Sequence, residues 1–223
     1  MKVKLFKHLD RLQLLQKGEV APIMVHTMPT HRCQLDCIHC CFKNRKGKKL
    51  DLDFEVWKEG ITQFHMLGTR AFEITGGGDP TLYPHINKGI ELFKHLNIHL
   101  GMNTNGISTE LVEDWDAFDW VRVSGNTLDY RSTLDLTHLR KSKAAITCCY
   151  IWNELSNKNI ARVIDYANRE ELICRLAPDC IKPPKEIAAL VNHIRDVLAT
   201  FKDNKFVFLS DFNIDINRQN NRC

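Results

Sequence analysis

Short apolar runs alternate with helical patterns along most of the chain, and this alternation limits the possible folds more than any other feature. A β-rich run at 22–28 (PIMVHTM) is followed by a cysteine-bearing loop and a helical pattern over 53–67. The unit then repeats. A strand-like run at 71–75 ends in three glycines, a helix is predicted over 84–96 and a strand over 98–103. Further strands are expected at 120–124, 144–151, 172–176 and 205–209, with helices at 157–169 and 185–201, the latter opening after Pro183 and Pro184. Strands and helices in strict series imply a parallel sheet with right-handed crossovers. A closed eight-fold barrel takes about 250 residues, more than 223 residues leave once the first 20 are set aside. The expected fold is therefore α/β, a partial (β/α)6-type parallel barrel at 21–223 preceded by an N-terminal helical arm at 1–20. In such a fold the site lies at the carboxyl ends of the strands.

At 43% hydrophobic and 26% charged residues the chain can bury one sizeable core, which excludes disordered, fibrous and mucin-like classes. A formal net charge of +4 is far from the basic density of a nucleic-acid coat. No apolar run approaches the ~18 residues of a membrane span, and charges interrupt the leucines of the first segment, so neither a span nor a signal peptide is expected. Leu5, Leu9 and Leu12 recur at i, i+4 and i+7, the pattern of an amphipathic helix docked on the body. Nine cysteines, an odd count without a secretory signal, suit a reduced, cytoplasmic compartment rather than a disulfide framework.

Four of them fall within nine residues. The segment Thr30-His31-Arg32-Cys33-Gln34-Leu35-Asp36-Cys37-Ile38-His39-Cys40 places three thiols at spacings x3 and x2 just after the first strand. Three soft thiolates on one loop suit an iron-sulfur cluster, which normally takes four protein ligands, so one iron would stay open to a small molecule. The competing reading is a structural zinc held by the same cysteines with His31 or His39, in a non-catalytic binding protein. Cys41, directly after Cys40, is left outside the ligand set.

The cysteine spacing and its position resemble the radical S-adenosylmethionine (radical SAM) superfamily, from about residue 22 to beyond 180. The resemblance implies an enzyme in which Cys33, Cys37 and Cys40 hold a 4Fe-4S cluster and S-adenosylmethionine chelates the fourth iron. One electron, from a donor such as flavodoxin or ferredoxin, then cleaves the sulfonium to methionine and a 5′-deoxyadenosyl radical that abstracts hydrogen from substrate. His39 stands where the family often has an aromatic whose backbone meets the adenine, and histidine there favours a peptide substrate. Gly76, Gly77, Gly78 and Asp79, before Pro80, resemble the Gly-Gly-Glu motif that binds the methionine ammonium, with Asp in place of Glu. Asn103 and Asn105, in Asn103-Thr104-Asn105-Gly106, match its Thr-Asn-Gly as cofactor contacts, although Asn-Gly is equally a plain turn. Ser124 in Arg122-Val123-Ser124 resembles its Arg-x-Ser, contacting ribose or carboxylate, with Arg122 equally open to a structural ion pair. Arg175, inside an apolar strand, needs either the methionine carboxylate or a neighbouring acid.

The remaining candidates are weaker. Asp179 and Cys180 follow the sixth strand, where they face substrate or cap a helix. Cys148, Cys149 and Cys174 lack ligand spacing and are expected in the core. Residues 43–49 carry five basic side chains, either a solvated loop or a lure for an anionic partner, the one feature favouring a nucleotide substrate. Cys223 falls where an auxiliary-cluster domain begins in some relatives, so both a truncated chain and a minimal enzyme are open.

Overall fold

The computed structural model describes residues 9–19, 22–45, 50–179 and 181–210. Leu5, most of the basic loop, Cys180 and Cys223 lie outside the described residues. Seven strands run in one parallel sheet: β1 (Met24–Thr27), β2 (Ala71–Ile74), β3 (His99–Thr104), β4 (Trp120–Ser124), β5 (Ala145–Trp152), β6 (Cys174–Pro178) and β7 (Val207–Leu209). They are ordered β1-β2-β3-β4-β5-β6-β7, so each strand pairs with its successor in sequence and β1 and β7 form the edges. Sequential order with parallel pairing is that of an α/β barrel left open, with one strand more than the six-unit expectation.

The helices are α1 (Leu9–Gln16), α2 (Phe54–Met66), α3 (Ile86–His95), α4 (Thr137–Arg140), α5 (Ser156–Arg169) and α6 (Pro184–Ala199). Asp53 caps α2 by accepting from the Glu55 and Val56 N–H groups at 2.9 and 3.2 Å, satisfying donors that the first turn leaves open. Pro184 opens α6, where its missing N–H costs nothing.

Strand pleating sends alternate residues to opposite faces. One set, including Phe72, Ile74, Leu100, Met102, Val121, Val123 and Tyr150, is buried in a single core with Trp57 and Ile61 of α2, Ile90 and Phe93 of α3, and Ile160 and Val163 of α5. Phe72 and Phe93 meet at 5.0 Å between ring centroids, and Trp57 turns its edge to Tyr83 at 5.1 Å. Burying each such side chain contributes roughly 1.5–3 kcal/mol. The other set, including Glu73, Asn103, Arg122, Cys149 and Arg175, faces the inside of the open barrel and is polar.

Two expectations change. Leu9 does not dock α1, being more than half exposed; the helix is attached through polar groups, with Arg11 donating to the Gly68 carbonyl and Arg70 to Asp10 at 2.5 Å. Cys148 and Cys174 lie in the core, but Cys149 points to the inner face. Adjacent strand residues must diverge, so the core could take only one of that pair.

Candidate active site at the carboxyl ends of the strands

The cysteine loop leaves β1 and is fastened at both flanks. Thr30 donates to Asp51 at 2.7 Å, and Arg32 reaches the same carboxylate through Nε at 3.0 and 2.9 Å and Nη2 at 2.6 Å. Burial pushes the Asp51 carboxyl up, but the bonds from Arg32 and Thr30 and the Arg32 charge outweigh it and hold it below its ordinary value. Farther along, the Ile38 N–H donates to the Tyr130 hydroxyl at 2.9 Å, the Cys40 N–H to the Cys37 carbonyl at 3.1 Å and Gln34 to Ser108 at 2.7 Å.

The glycine segment after β2 is packed against this loop. The Gly78 N–H donates to the Thr30 carbonyl at 2.9 Å and the Asp79 N–H to the Arg32 carbonyl at 2.6 Å. A Cβ on Gly78 would stand 2.1 Å from the Arg32 carbonyl oxygen, and one on Gly77 would strike the His31 ring at 2.4 Å. Close approach of the Arg32 backbone, rather than turn conformation, therefore fixes glycine at 78, while Gly77 leaves room for the His31 ring.

Asp79 is fully buried and crosses from the end of β2 to the end of β3. Its carboxylate accepts from the Thr81 hydroxyl at 2.6 Å, the Thr104 hydroxyl at 3.0 Å and the Asn105 N–H at 2.5 Å. Burial raises its pKa against the pull of these donors. Asn105 is held in turn, donating through Nδ2 to the Gln34 amide oxygen at 2.9 Å and toward the Cys33 sulfur at 3.7 Å.

Above the sheet lies a cleft of about 310 Å³ lined by Cys33, Thr75, Gly76, Gly78, Asp79, Asn103, Thr104, Asn105, Arg122, Val123, Ser124, Cys149 and Ile151. It gathers Cys33 and six of the nine expected cofactor contacts. Gly77 lies behind it under His31, His39 sits half-buried in the cysteine loop, and Arg175 stands one strand beyond, beside Cys149. Cys37 and Cys40 are half-buried and Cys41 is exposed. Asp179 accepts the Ile181 N–H at 3.0 Å, turning the chain toward α6.

Along the inner face the polar side chains join into a row. His26 Nδ1 lies 3.5 Å from Glu73, the Asn103 amide donates to the same carboxylate, and Arg122 reaches the Asn103 oxygen at 3.4 Å while lying over the Trp120 ring at 5.1 Å. Burial pushes the Cys149 thiol up, opposed by the charge and hydrogen bond of Arg175 and the charge of Arg122. Sequence reasoning passed over Glu73, Thr75 and Cys149. Period-two alternation along β5, with Cys148, Tyr150 and Trp152 on one side, could have found the last.

A second polar group gathers the buried Asn126, Thr127, Asn153 and Asn159 around the half-buried Asp129. Asp129 accepts from Tyr150 at 2.8 Å, Asn126 at 3.0 Å, Asn153 at 3.0 Å and Asn159 at 2.9 Å, while Thr127 donates to the Asn105 carbonyl at 2.6 Å. It ties the segments after β4 and β5 to the end of β3. The cleft is thus framed by hydrogen bonds on both sides.

The thiol chemistry of the loop fits an iron-sulfur cluster. Three soft donors come from one short, anchored segment, and one of them shares its cleft with the glycine segment, Asn105 and Ser124. Among the described residues no three His, Cys, Asp or Glu side chains converge on a point that would hold a single metal ion.

An open parallel β/α barrel whose first loop carries three thiols beside a polar cleft defines a class of metal-cluster enzyme. Residues 27–172 match the profile of the radical SAM superfamily, and the chain belongs to that superfamily, whose cofactors are a 4Fe-4S cluster and S-adenosylmethionine. Curated relatives include an S-adenosylmethionine-dependent nucleotide dehydratase of a Thermoplasmatales archaeon (strain ISO4-H5), 24% identical over 65% of this chain and 48% of that protein. Mycofactocin maturase MftC of Mycobacterium tuberculosis is 26% identical over 50% of this chain and 29% of its own. The chain matches about half or less of the length of these relatives. Among solved structures, Streptococcus suis SuiB bound to its precursor peptide SuiA superposes with a TM-score of 0.61 at 13% identity, covering 91% of this chain and 52% of that one. The peptide- and AdoMet-bound anSMEcpe gives 0.56 at 16%, covering 78% and 58%. These likenesses establish the fold.

Proposed function

We propose that this chain is the catalytic barrel of a radical SAM enzyme that modifies a peptide or protein. Cys33, Cys37 and Cys40 hold the cluster, and the anchors at Thr30, Arg32, Gln34 and Ile38 keep their loop over the strand ends. The bound cluster and S-adenosylmethionine supply a 5′-deoxyadenosyl radical for hydrogen abstraction. The backbone carbonyls of the segment Gly76, Gly77, Gly78 and Asp79 receive the methionine ammonium, Ser124, Asn103 and Asn105 its ribose and carboxylate side, and Arg175 the carboxylate. His39 offers its backbone to the adenine. Asp79 contributes by position: its carboxylate locks the ends of β2 and β3 at a fixed spacing.

One observation carries this assignment, the presence of Cys33 in the same cleft as Gly76, Gly78, Asn105 and Ser124. A peptide substrate is supported by His39 and by the peptide-binding neighbour SuiB. A nucleotide substrate is the second reading, supported by the dehydratase among the relatives. The electron donor is a flavodoxin or ferredoxin and the setting is cytoplasmic, in keeping with clustered thiols. Among the described residues no helix is long and apolar enough to cross a membrane.

Anaerobic reconstitution tests the proposal. The protein should turn brown with about four irons per chain. Given strong reductant and S-adenosylmethionine but no substrate, it should slowly release 5′-deoxyadenosine and methionine. A colourless, zinc-loaded protein, or a full cluster that never yields 5′-deoxyadenosine with either a peptide or a nucleotide mixture present, would refute it.

A further inference from the structure

Arg122 on β4 and Arg175 on β6 both face the inside of the barrel; on β5 between them, Arg175 is level with Cys149 and Arg122 with Thr147, two residues earlier. Both stand on the same inward-facing stretch of wall, two residues apart in register, and both charges act on the Cys149 thiol. Among the described residues neither has a carboxylate within ion-pair distance. Glu73, an acid on the same face, is taken up by Asn103 and His26. Two half-buried cations without a counter-ion are costly, and a ligand that brings anions relieves the cost. S-adenosylmethionine brings a single carboxylate, which the assignment above gives to Arg175. One cation is left over.

We propose that Arg122 binds a carboxylate of the substrate, so that the enzyme acts on a peptide presenting a side-chain or terminal carboxylate at the β4 side of the cleft. The site is built for this group. Trp120 lies under the guanidinium at 5.1 Å and the Asn103 oxygen engages Nη1 at 3.4 Å, which holds the planar fork in one orientation while leaving other N–H donors unused. Carboxylate geometry matches such a fork in a bidentate manner. Phosphate sites gather several backbone N–H groups, and here those of Gly78 and Asp79 are spent on the Thr30 and Arg32 carbonyls.

The inference rests on the cofactor assignment above, and the test separates the two. Reconstituted protein saturated with S-adenosylmethionine is titrated with N-acetylglycine, with N-acetylglutamate α-amide and with neutral N-acetylglycinamide. Trp120 fluorescence is followed, with Trp120→Phe supplying the background and calorimetry the second measurement. At least one carboxylate should bind saturably and the amide should not; which one binds tells a terminal from a side-chain group. Arg122→Gln should weaken carboxylate binding by about tenfold or more, the loss of a charged hydrogen bond, with cofactor affinity changed less than about threefold. Arg122→Lys, which keeps the charge and loses the fork, should fall between, and covers the case in which the Gln variant does not fold. Equal carboxylate affinity in the variants, displacement of S-adenosylmethionine by the carboxylate, or tighter binding of inorganic phosphate would each overturn the inference. Wild-type protein that fails to bind S-adenosylmethionine would instead overturn the cofactor assignment.

Discussion

Cys148 and Cys149 are neighbours in sequence and lie on opposite sides of the sheet. Cys148 is buried under the helices, level with Val123 and Cys174, whereas Cys149 lines the cleft between Ser124 and Arg175. The two faces obey different rules. On the helix side any well-fitting apolar residue serves, and the return is stability. On the inner side each polar group is fixed by another, as Asn103 is by Glu73, Thr75 and Arg122, and what is gained is a shaped site.

The sharpest way to break the contrast is with cysteines. Cys37→Ala should abolish iron binding and all cleavage of S-adenosylmethionine, because under the proposed assignment each thiol would make one of only three protein bonds to iron. Cys148→Ala should keep the full iron content; iron retained by the first variant, or lost by the second, would erase the distinction. Next in size, Leu100→Ala on the helix side should lose about 2–5 kcal/mol in urea unfolding, the usual cost of a cavity in a packed core. Its correctly folded fraction should still take up iron.

Gly78→Ala sharpens the comparison at the seam between the faces. Its Cβ would meet the Arg32 carbonyl at 2.1 Å, a backbone atom that cannot swing away, so a loss of about 1–3 kcal/mol is expected together with weaker iron retention. The same substitution at Gly60, where a Cβ meets nothing within 4 Å, should cost neither.

The smallest effect concerns acid. The folded pKa of Asp51 lies below its ordinary value of 3.8, so its contribution is fully present above that pH and fades as pH falls through the lowered value. Asp51→Asn should therefore unfold with a flatter acid limb below about pH 4, and a limb as steep as that of the wild type would deny Asp51 this role.

The helix-side face was the legible one. The strand at 120–124 is found where the apolar pattern predicts it, and the helices at 157–169 and 185–201 shift by only one or two residues. The sixth strand runs Cys174–Pro178 instead of 172–176, because Leu172 is buried in the core from the preceding turn and carries the apolar pattern ahead of the ladder. The cysteine loop was legible from spacing. The partners of its anchors were not: Thr30 and Arg32 find Asp51 about twenty residues on, and Ile38 finds Tyr130 across 92 positions. Nor could sequence foresee that Asp79 would turn its carboxylate onto Thr104 and Asn105, since that choice depends on the spacing of two strand ends.

The cysteine loop is fastened to the segments after β2, β3 and β4, and to none after β5 among the bonds described above. In kinetic terms those bonds predict that the thiols open with the first four strands as one unit. Iron should then leak from the resting protein at the rate at which those four strands open, a rate that amide hydrogen exchange in β2 and β3 would report. Fraying of the three-residue edge strand β7 should exchange its amides quickly without releasing any iron.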